Sequence, residues 1–461
     1  MVRCLMFGWL LVSLIVGMSS PVAAQTDPLA PCAEPLAHYT PIVGTTRYPT
    51  PADLPLPEPR VAFIDPTFGT CLVRVTDRLN DFDSPQVNLK NEYSRLQSFN
   101  ADDSLIMVHG GTSGDWFLYN AQTLRPIQML VTNAALGEPR WDVQDLYRFT
   151  FNPWWDADTR LMAADLMRSG DQFDVRETVL HDFSGELPPE WHATFVWHRW
   201  KGSPSQDGRY DAFMAEDADF VTRGLVSYDV QNDAILGLYT VPHADDNEPN
   251  TVGMSPSGDY VMAEFECCPD GQSGTYDEPC GAMVYTRDLS TGWGMARCPG
   301  HGDMAWDAQG HEVIVYQETS TDQIVMTDLA TGETTALLEL DFSGGSYGIH
   351  ISGQAHHQPG WVAVSVHPEG ISPDWSNPFW MVGTVVALEL TANPRVVQLA
   401  HHHTLRDEAA EDGGYFAEAH VTVNRDFTRL LFSSNWDQAS GTNEVDMYLV
   451  VLPDDWIERL P

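Results

Sequence analysis

A short polar turn that recurs along the chain constrains the fold more than any other feature of the sequence. Each copy combines Ser, Asn or Asp with Asp or Gly, and it lies between a short apolar strand and a stronger one. The seven copies begin at Ser98, Phe149, Trp200, Val252, Met304, Ile351 and Val421. Further strand-like runs follow each turn, such as WFLYNA, GLVSYDV and DMYLVVL. The chain is therefore predicted to consist of seven repeats of one multi-stranded unit.

Antiparallel units of about four strands, repeated roughly every 40 to 50 residues, are typical of a β-propeller. One unit cannot bury both faces of its sheet, whereas seven units arranged radially can. The last unit contains three strands, AHVTV, RLLFSS and DMYLVVL, and the strand CLVRVTD from Cys71 has no unit of its own. We therefore predict an all-β fold, a seven-bladed β-propeller whose N-terminal strand closes the last blade. A pair of β-sandwiches is the alternative, but it does not explain the even spacing of the turns.

The segments SPSGDYVMAEF, DAQGHEVIVY and NRDFTRLLFSSNW resemble the WD-like propeller repeats of TolB-like proteins. The resemblance covers roughly Leu96 to Leu452, and such repeats identify a fold but not an activity. Within this superfamily, the pattern that runs from His420 to LLFSSNW is similar to that of the secreted or periplasmic oligogalacturonate lyases. That resemblance implies seven blades and a divalent metal ion held by histidines at the mouth of the channel. The chain departs from those enzymes because it has Tyr415-Phe-Ala-Glu418-Ala-His420 and no Gln-x-x-His-x-His cluster.

The first strand of each propeller blade lines the central channel, so aligning the seven turns predicts which side chains meet there. Side chains two residues apart share one face of a strand. Counting back four and six residues from each turn gives two sets of predicted channel residues. Their charged, imidazole and indole members are Arg148, Trp197, Arg199, His301, Asp303, Glu418 and His420. His350 reaches the same mouth if the register of its blade shifts by one residue.

Blades five to seven contribute the imidazoles and carboxylates, and blades two and three contribute the two guanidiniums. This layout suits an anionic ligand that is bridged by a metal ion. The predicted metal ligands are His301, Asp303, His350, Glu418 and His420. The predicted cofactor is a divalent ion: Mn, Ca or Zn. An internal network of Arg, Asp and Glu that keeps the channel groups paired is the structural alternative.

A lyase that acts on uronic acids must remove the C5 proton beside a carboxylate, which requires that the carboxylate be neutralised. Arg148 and Arg199 are the predicted cations for the substrate, and Trp197 is a further predicted substrate contact. A neutral histidine is a suitable base near neutral pH. We therefore predict His198, Arg199 and Tyr93 as catalytic residues on the wall opposite the metal.

The remaining histidine runs are predicted to lie outside the channel, and several common catalytic motifs are absent from the sequence. The run from His401 to His403 precedes an acidic, Gly-containing segment and is predicted to be a solvated loop. His356 and His357 fall in a turn and are predicted to point away from the channel. The sequence contains no Gly-x-Ser-x-Gly elbow, P-loop or dinucleotide fingerprint, which argues against hydrolase, nucleotide-dependent and redox functions.

Residues 1–24 have the pattern of a secretory signal peptide: a basic residue, an apolar run, and small residues before Gln25. We predict that a Pro-rich arm follows over residues 25–60 and that residues 61–461 form a single propeller domain. An uncleaved membrane anchor is the alternative, but the apolar run is shorter than the roughly 20 residues that a span needs. No later stretch is apolar for long enough to cross a bilayer, so we expect a secreted or periplasmic protein.

Six cysteines remain once Cys4 leaves with the signal peptide, and an even number in an oxidising compartment favours disulfides. A bond between Cys32 and Cys71 is predicted to tie the arm to the first strand. The other four, predicted to stabilise one long loop, are Cys267, Cys268, Cys280 and Cys298. A zinc site is the alternative for these four, although adjacent cysteines do not have zinc-finger spacing.

The net charge of −41 restricts the partners of this 461-residue chain. With 24 Lys+Arg against 65 Asp+Glu, most of its surface repels nucleic acid and anionic membranes. Repulsion also favours short acidic oligosaccharides, or high salt, over long polyanions. We predict a monomer that has no nucleic-acid partner and no membrane span after signal cleavage.

Three functions fit these observations. The first is an exported polysaccharide or oligosaccharide lyase, a carbon–oxygen lyase that acts on uronic-acid glycans by metal-assisted β-elimination. The second is a non-catalytic TolB-like propeller that binds a protein or glycan partner in the cell envelope. The third is a glycosidase with Asp303 and Glu418 as its carboxylate pair. A scaffold does not need two arginines opposite three histidines, and a glycosidase does not need a metal, so the lyase is the sharpest hypothesis.

Overall fold

The computed structural model describes residues 27–51, 54–153, 157–199, 202–245, 247–369, 378–406, 414–437 and 444–461. The predicted signal peptide lies outside the described residues. The helical segments are short: the 3-10 turns Ala30–Cys32, Pro189–Trp191 and Tyr415–Ala417, and helix α1 (Ala33–Ala37). None of the helices in the described ranges is long and apolar enough to cross a membrane.

The strands form seven antiparallel sheets, which are the blades of a β-propeller, and the predicted fold class is confirmed. The first strands along the chain are β1 (Ile42–Val43), β2 (Phe63–Ile64) and β3 (Cys71–Arg74). Blade one contains β4 (Leu105–Gly110), β5 (Asp115–Asn120) and β6 (Pro126–Met129), and blade two contains β7 (Leu136–Trp141), β8 (Arg148–Pro153), β9 (Arg160–Ser169) and β10 (Gln172–Asp182). Blade three contains β11 (Phe195–Trp197), β12 (Tyr210–Glu216), β13 (Thr222–Asp229) and β14 (Ala234–Thr240). Blade four contains β15 (Thr251–Met254), β16 (Tyr260–Glu264), β17 (Ala282–Thr286) and β18 (Gly292–Ala296). Blade five contains β19 (Pro299–Trp306), β20 (Glu312–Glu318), β21 (Gln323–Asp328) and β22 (Thr334–Glu339). Blade six contains β23 (Tyr347–Ser352), β24 (Trp361–Pro368), β25 (Thr384–Glu389) and β26 (Val396–His401), and blade seven contains β27 (Thr422–Val423), β28 (Arg429–Ser434) and β29 (Asp446–Val451).

The chain enters each blade at its inner strand and moves outward, as the order β19-β20-β21-β22 shows for blade five. In blade one, two isolated bridges, Lys90 to His109 and Phe99 to Ile106, take the place of a regular inner strand. Successive strands are antiparallel and most blades have four, so the inner strands all run in the same direction. Their first residues therefore meet at one end of the channel, which we call the upper mouth. The turns that follow the inner strands surround the other end, the lower mouth.

Side-chain capping explains why the repeated turns require Asn, Asp or Ser. In blade one, the Asn100 side-chain oxygen accepts hydrogen bonds from the backbone N–H groups of Ser104 and Leu105, both at 2.9 Å. Asn424 makes the equivalent two bonds in blade seven, also at 2.9 Å. A short polar side chain thus replaces the backbone partners that the turn leaves unpaired.

The unit that the sequence assigns to Phe149 is an exception. Its turn follows β8, the second strand of blade two, and the inner strand of that blade is β7. The turn between β7 and β8 has the same capping chemistry, since the Asp142 carboxylate accepts bonds from two following N–H groups. Turn chemistry alone therefore does not identify the inner strand. The prediction that Arg148 lies on an inner strand is wrong, because Arg148 is the first residue of β8.

Apolar side chains fill the spaces between neighbouring blades. One cluster joins blades five and six and includes Val315, Ile349 and Val364, all fully buried. Every residue of β24 is buried as well. Burying each such aliphatic side chain stabilises the folded state by about 1.5–3 kcal/mol relative to leaving it exposed. Apolar clusters between neighbouring blades therefore surround a polar channel.

Hydrogen bonds between an N-terminal strand and the last strand of the chain close the ring of blades. Strand β3 pairs with β29, which places Leu72 opposite Val450. This confirms that the N-terminal strand closes the last blade. Next to this pairing, the Arg74 guanidinium donates two hydrogen bonds to the Asp446 carboxylate, at 3.1 and 2.7 Å.

The N-terminal arm is attached to the propeller by a strand pairing, a disulfide and several hydrogen bonds. Strand β1 pairs with β26, the outer strand of blade six. A disulfide joins Cys32 to Cys71, as predicted. The remaining cysteines also form disulfides, Cys268–Cys280 within one loop and Cys267–Cys298 between that loop and the start of β19. The zinc-site alternative is therefore excluded.

Two predictions about histidines outside the channel set are wrong. The run from His401 to His403 is buried, since β26 continues to His401 and the His402 ring contacts the Val366 carbonyl oxygen at 2.9 Å. The acidic segment that suggested a solvated loop begins only after these histidines. His356 lines a small cavity in the channel near the lower mouth, together with Asp303 and Gln354. His357 is exposed, as predicted.

Candidate functional site

Polar side chains from four parts of the propeller converge at the upper mouth. His301 lies in β19, His350 in β23 and His367 in β24, while Glu418 and His420 immediately precede β27. The segment before blade one contributes Tyr93. The histidine cluster is defined as His301, His350, His367, Glu418, His420 and Tyr93.

His350 lies at the centre of the histidine cluster. The ring centroids of His301 and His420 lie 4.5 and 4.2 Å from the His350 centroid, and the ring of His367 is 5.3 Å away. Tyr93 contacts the same group, with its ring 5.3 Å from His350 and 5.2 Å from His420. The rings from blades five, six and seven therefore form one packed group.

The Glu418 carboxylate places a negative charge beside three of these imidazoles. One carboxylate oxygen lies 2.7 Å from Nε2 of His350 and 3.5 Å from Nε2 of His420. The other lies 3.7 Å from Nε2 of His367 and 3.3 Å from Nε of Arg406. The rings of His350, His367 and His420 thus face the same buried carboxylate.

The backbone around His420 is held in an unusual conformation. Its φ angle is +43°, in the left-handed region that a non-glycine residue rarely adopts. The Asn91 side chain donates a hydrogen bond to the His420 carbonyl oxygen at 2.5 Å, and the Ser365 hydroxyl accepts one from the N–H of Val421 at 3.3 Å. Such strain persists where the surrounding structure imposes it and is frequent at functional sites.

The donor set fits a divalent metal ion. His350, His367 and Glu418 each offer a ligand atom, and these atoms lie within 4.8 Å of one another. No other group of three such side chains meets this spacing among the described residues. Neither ring nitrogen of His420 makes a hydrogen bond within the described part of the chain. Burial lowers the pKa of His367 and of His420 well below the ordinary value, so both rings are neutral.

Below the histidine cluster, the channel contains a second polar layer. The Arg95 guanidinium donates a hydrogen bond to the Glu264 carboxylate at 2.7 Å. Asp303 accepts bonds from the backbone N–H of Gly353 at 2.7 Å and from the Gln354 amide at 3.1 Å. Burial raises the pKa of Asp303 to about 6. This layer continues into the cavity that His356 lines, toward the lower mouth.

The structure brings together most, but not all, of the predicted site residues. His301, Glu418 and His420 are neighbours, as the alignment of the turns suggested, and His350 joins them as expected for a one-residue shift of register. The prediction that Tyr93 lies on the wall opposite the metal ligands is wrong, because its ring packs against His350 and His420. Asp303 belongs instead to the second polar layer, where its carboxylate is bonded to backbone N–H groups. It lies two residues beyond His301 and so one step further along the channel.

Arg148 lies away from the histidine cluster, because it begins the second strand of its blade. Its guanidinium pairs with the Asp165 carboxylate at 3.0 Å. The inner strand of blade two carries Arg140 instead, which is buried and donates two hydrogen bonds to the Gly202 carbonyl oxygen. The arginine on the inner strand of blade two is therefore Arg140 and not the predicted Arg148.

His198 occupies a carboxylate-rich environment in blade three. Its Nε2 lies 2.7 Å from the Asp211 carboxylate, and its Nδ1 lies 3.5 Å from Glu138. Burial alone would lower the pKa of His198, but the two carboxylates raise it. A base must be neutral to accept a proton, so these surroundings do not favour the predicted role of His198.

Arg199 and Trp197 lie at the upper mouth on blade three. The Arg199 guanidinium is 3.6 Å from carboxylate oxygens of both Glu216 and Glu248. Trp197 belongs to a group of aromatic rings with Phe195 and Phe220. Their predicted substrate contacts, and the catalytic role of Arg199, remain predictions.

Glu216 makes the stability of blade three depend on pH. Burial raises its pKa to about 7, against the lowering effects of Arg199, Trp197 and Thr222. The folded state therefore binds this proton more tightly than the unfolded state, and stability decreases as the pH rises from the ordinary glutamate pKa to about 7. We expect Glu216→Gln to raise the free energy of unfolding above pH 7 by about 1–3 kcal/mol. Urea denaturation at several pH values measures this gain, which should shrink toward pH 4.5, and a pH-independent difference would contradict it.

Sequence reasoning missed His367 within the histidine cluster and two residues beside it, Arg406 and Lys90. His367 lies on the second strand of blade six, and the alignment considered only first strands. A lone histidine at the end of the apolar run WVAVSV was the available signal. Arg406 and Lys90 lie outside the turn motif, so nothing in the repeat pointed to them.

No protein-family model and no curated protein matches the chain. Among solved structures, an oligogalacturonate lyase from Vibrio parahaemolyticus is similar over 86% of this chain and 97% of that chain, with a TM-score of 0.55 and 14% sequence identity. TolB from Acinetobacter baumannii is similar over 62% of this chain and 59% of that chain, with a TM-score of 0.32 and 13% identity. The Cps50 (Swd1) propeller domain from Myceliophteria thermophila covers 68% of this chain and 82% of its own, with a TM-score of 0.35 and 10% identity. At such identities the likeness to the lyase shows a shared propeller fold and nothing about activity.

Proposed function

We propose that the protein is an extracytoplasmic lyase that cleaves uronic-acid oligosaccharides by metal-assisted β-elimination. The observation that carries the proposal is the convergence of His301, His350, His367 and His420 with Glu418 and Tyr93 at one mouth of the channel. A purely structural channel does not require three imidazoles around one carboxylate and a fourth stacked beside them. Three disulfides and the predicted signal peptide support a location outside the cytoplasm.

His350, His367 and Glu418 would hold the metal ion, with His420 beside them. An imidazole-rich set favours a transition-metal ion over calcium, which prefers oxygen ligands. When bound, a divalent ion supplies positive charge that neutralises the uronate carboxylate and makes the neighbouring C5 proton more acidic.

His301 is the residue best placed to act as the base. Its Nδ1 lies 3.0 Å from the Ile349 carbonyl oxygen, which accepts a hydrogen bond from this nitrogen. The proton is thereby fixed on Nδ1, and Nε2 has the lone pair that accepts a proton. His301 stacks on His350, so this lone pair belongs to the same site as the metal ligands.

Tyr93 is the corresponding acid. Burial raises its pKa above the ordinary value, so the phenol keeps its proton at neutral pH. In the proposed reaction His301 takes the C5 proton, the freed electron pair forms the C4–C5 double bond, and the C4–oxygen bond breaks. Tyr93 then protonates the departing oxygen and later regains a proton from the solvent or from His301.

Product formation on defined oligouronides tests the proposal. The purified protein should release unsaturated products, detected by their ultraviolet absorbance, from oligogalacturonates or oligomannuronates. Chelation should abolish the reaction, addition of Mn or Zn should restore it, and elemental analysis should find a divalent metal. Saturated products would indicate a glycosidase. If the metal-loaded protein cleaves none of these glycans, the proposal is wrong and the alternative of a non-catalytic envelope propeller is favoured.

A further inference from the structure

Lys90 is a buried cation beside the histidine cluster. It is one of two lysines in the chain and is 1% exposed. Its backbone bridges to His109 at the inner edge of blade one, so its position is set by the sheet. A lysine is almost never buried to this degree unless its charge has a partner.

The Lys90 ammonium has fewer partners than its donors require. It donates a hydrogen bond to the Glu92 carbonyl oxygen at 2.7 Å, and the rings of Tyr415 and Phe416 each lie 6.0 Å from it. An ammonium group has three donors. No other acceptor for this group occurs among the described residues, and leaving a buried charge without partners is costly.

The neighbouring carboxylates are engaged elsewhere. Glu92 forms an ion pair with His109. Glu418 contacts His350 at 2.7 Å and Arg406 at 3.3 Å. Both carboxylates attract the Lys90 charge electrostatically, but neither is hydrogen-bonded to it.

The Tyr415 side chain lies between the Lys90 ammonium and the surface of the upper mouth. Tyr415 contacts Lys90 on one side and His420 on the other, with 4.9 Å between the centroids of its ring and of the His420 ring. Tyr415 itself is 37% exposed. The two remaining donors of Lys90 are therefore next to the residues proposed to carry out the reaction.

We propose that Lys90 binds the carboxylate of a uronic acid residue and thereby selects free uronates over their esters. This inference rests on the proposed function and names the chemistry of its substrate. A protein with a net charge of −41 repels anions over most of its surface. A buried lysine with free donors supplies a local attraction, and the carboxylate oxygens satisfy those donors with charge-assisted hydrogen bonds.

Lys90→Met, which keeps an unbranched side chain only one atom shorter but removes the charge, tests the inference. Arg125→Met is the matched control, because it removes one positive charge at an exposed position in blade one. We expect Lys90→Met to lower kcat/KM on trigalacturonate at least thirtyfold while changing kcat/KM on its methyl ester less than threefold. Affinity for trigalacturonate, measured by tryptophan fluorescence, should fall at least tenfold. Arg125→Met should change each value less than twofold.

Thermal melting separates binding from a structural role. The Lys90→Met protein should melt at the same temperature as the parent or higher, since the variant removes an incompletely paired buried charge. Equal losses on acid and ester, or parent-like values on both, would overturn the inference while leaving the lyase function intact. If neither protein turns over trigalacturonate but Lys90→Met still loses affinity for it, the carboxylate site stands and the lyase proposal fails.

Discussion

Replacement of Glu418 by glutamine is expected to reduce the proposed lyase activity about a thousandfold, and to abolish binding of the proposed metal ion. Glutamine keeps the shape of the side chain but loses the negative charge that faces His350, His367 and His420. Metal-dependent charge stabilisation amounts to several kcal/mol, and each 1.36 kcal/mol corresponds to about a tenfold change in rate. Initial rates on trigalacturonate and elemental analysis of the same preparation measure both effects.

Glu389→Gln is the matched control for that variant. Glu389 also pairs with an arginine, Arg395, at 2.7 Å, but it lies at the end of β25 outside the channel. The control should keep the activity and the metal content of the parent. A Glu418→Gln protein that also keeps both would show that the histidine cluster is not the metal site.

The second large effect is expected on stability, from Asp446→Ala. The Asp446 carboxylate accepts hydrogen bonds from Arg74, from the Thr76 hydroxyl at 2.8 Å and from the N–H of Arg78 at 3.0 Å. These bonds join the last strand of the chain to the N-terminal strand in the closing blade. Alanine removes the carboxylate that is hydrogen-bonded to the buried Arg74 cation and leaves the more distant Asp77, at 3.6 Å, as its ion-pair partner, so we expect a loss of about 3–5 kcal/mol in the free energy of unfolding. Urea denaturation followed by tryptophan fluorescence measures the change.

A surface pair provides the comparison for the closing blade. Asp455 lies 2.7 Å from Arg459 and is half exposed, so Asp455→Ala should cost no more than about 1 kcal/mol. Equal losses in the two variants would mean that the Arg74 contact does not contribute to ring closure. Closure of the last blade would then depend on the strand pairing of β3 with β29 rather than on the Arg74 contact.

The predicted fold follows from short-range chemistry. Turns such as those capped by Asn100 and Asn424 depend on residues within five positions of each other, and the alternation of apolar strands follows from the sheet itself. Blade two shows the limit of this reasoning. Its polar turns at Asp142 and after β8 look alike in sequence, and only strand pairing shows which one follows the inner strand.

The candidate site was predictable where it depended on the inner strands and unpredictable elsewhere. His301 and His420 were found because equivalent positions of adjacent blades are neighbours around the channel, and His350 was found by allowing its blade a one-residue shift of register. His367 was not found, because its side chain reaches the site from a second strand. His198 and Arg199 were correctly placed in blade three, but no local pattern indicated the carboxylates that surround them.

The sequence alone determined the all-β propeller, its closure by the strand at Cys71 and the pairing of Cys32 with Cys71, because repeat spacing and cysteine positions are properties of the chain. Only the tertiary structure decided that Glu418 faces three imidazoles and that Lys90 lies buried beside them. These residues are up to hundreds of positions apart, and their contacts depend on how seven sheets pack around one axis. A one-residue change of register reverses which side chains face the channel, and no local pattern specifies that register.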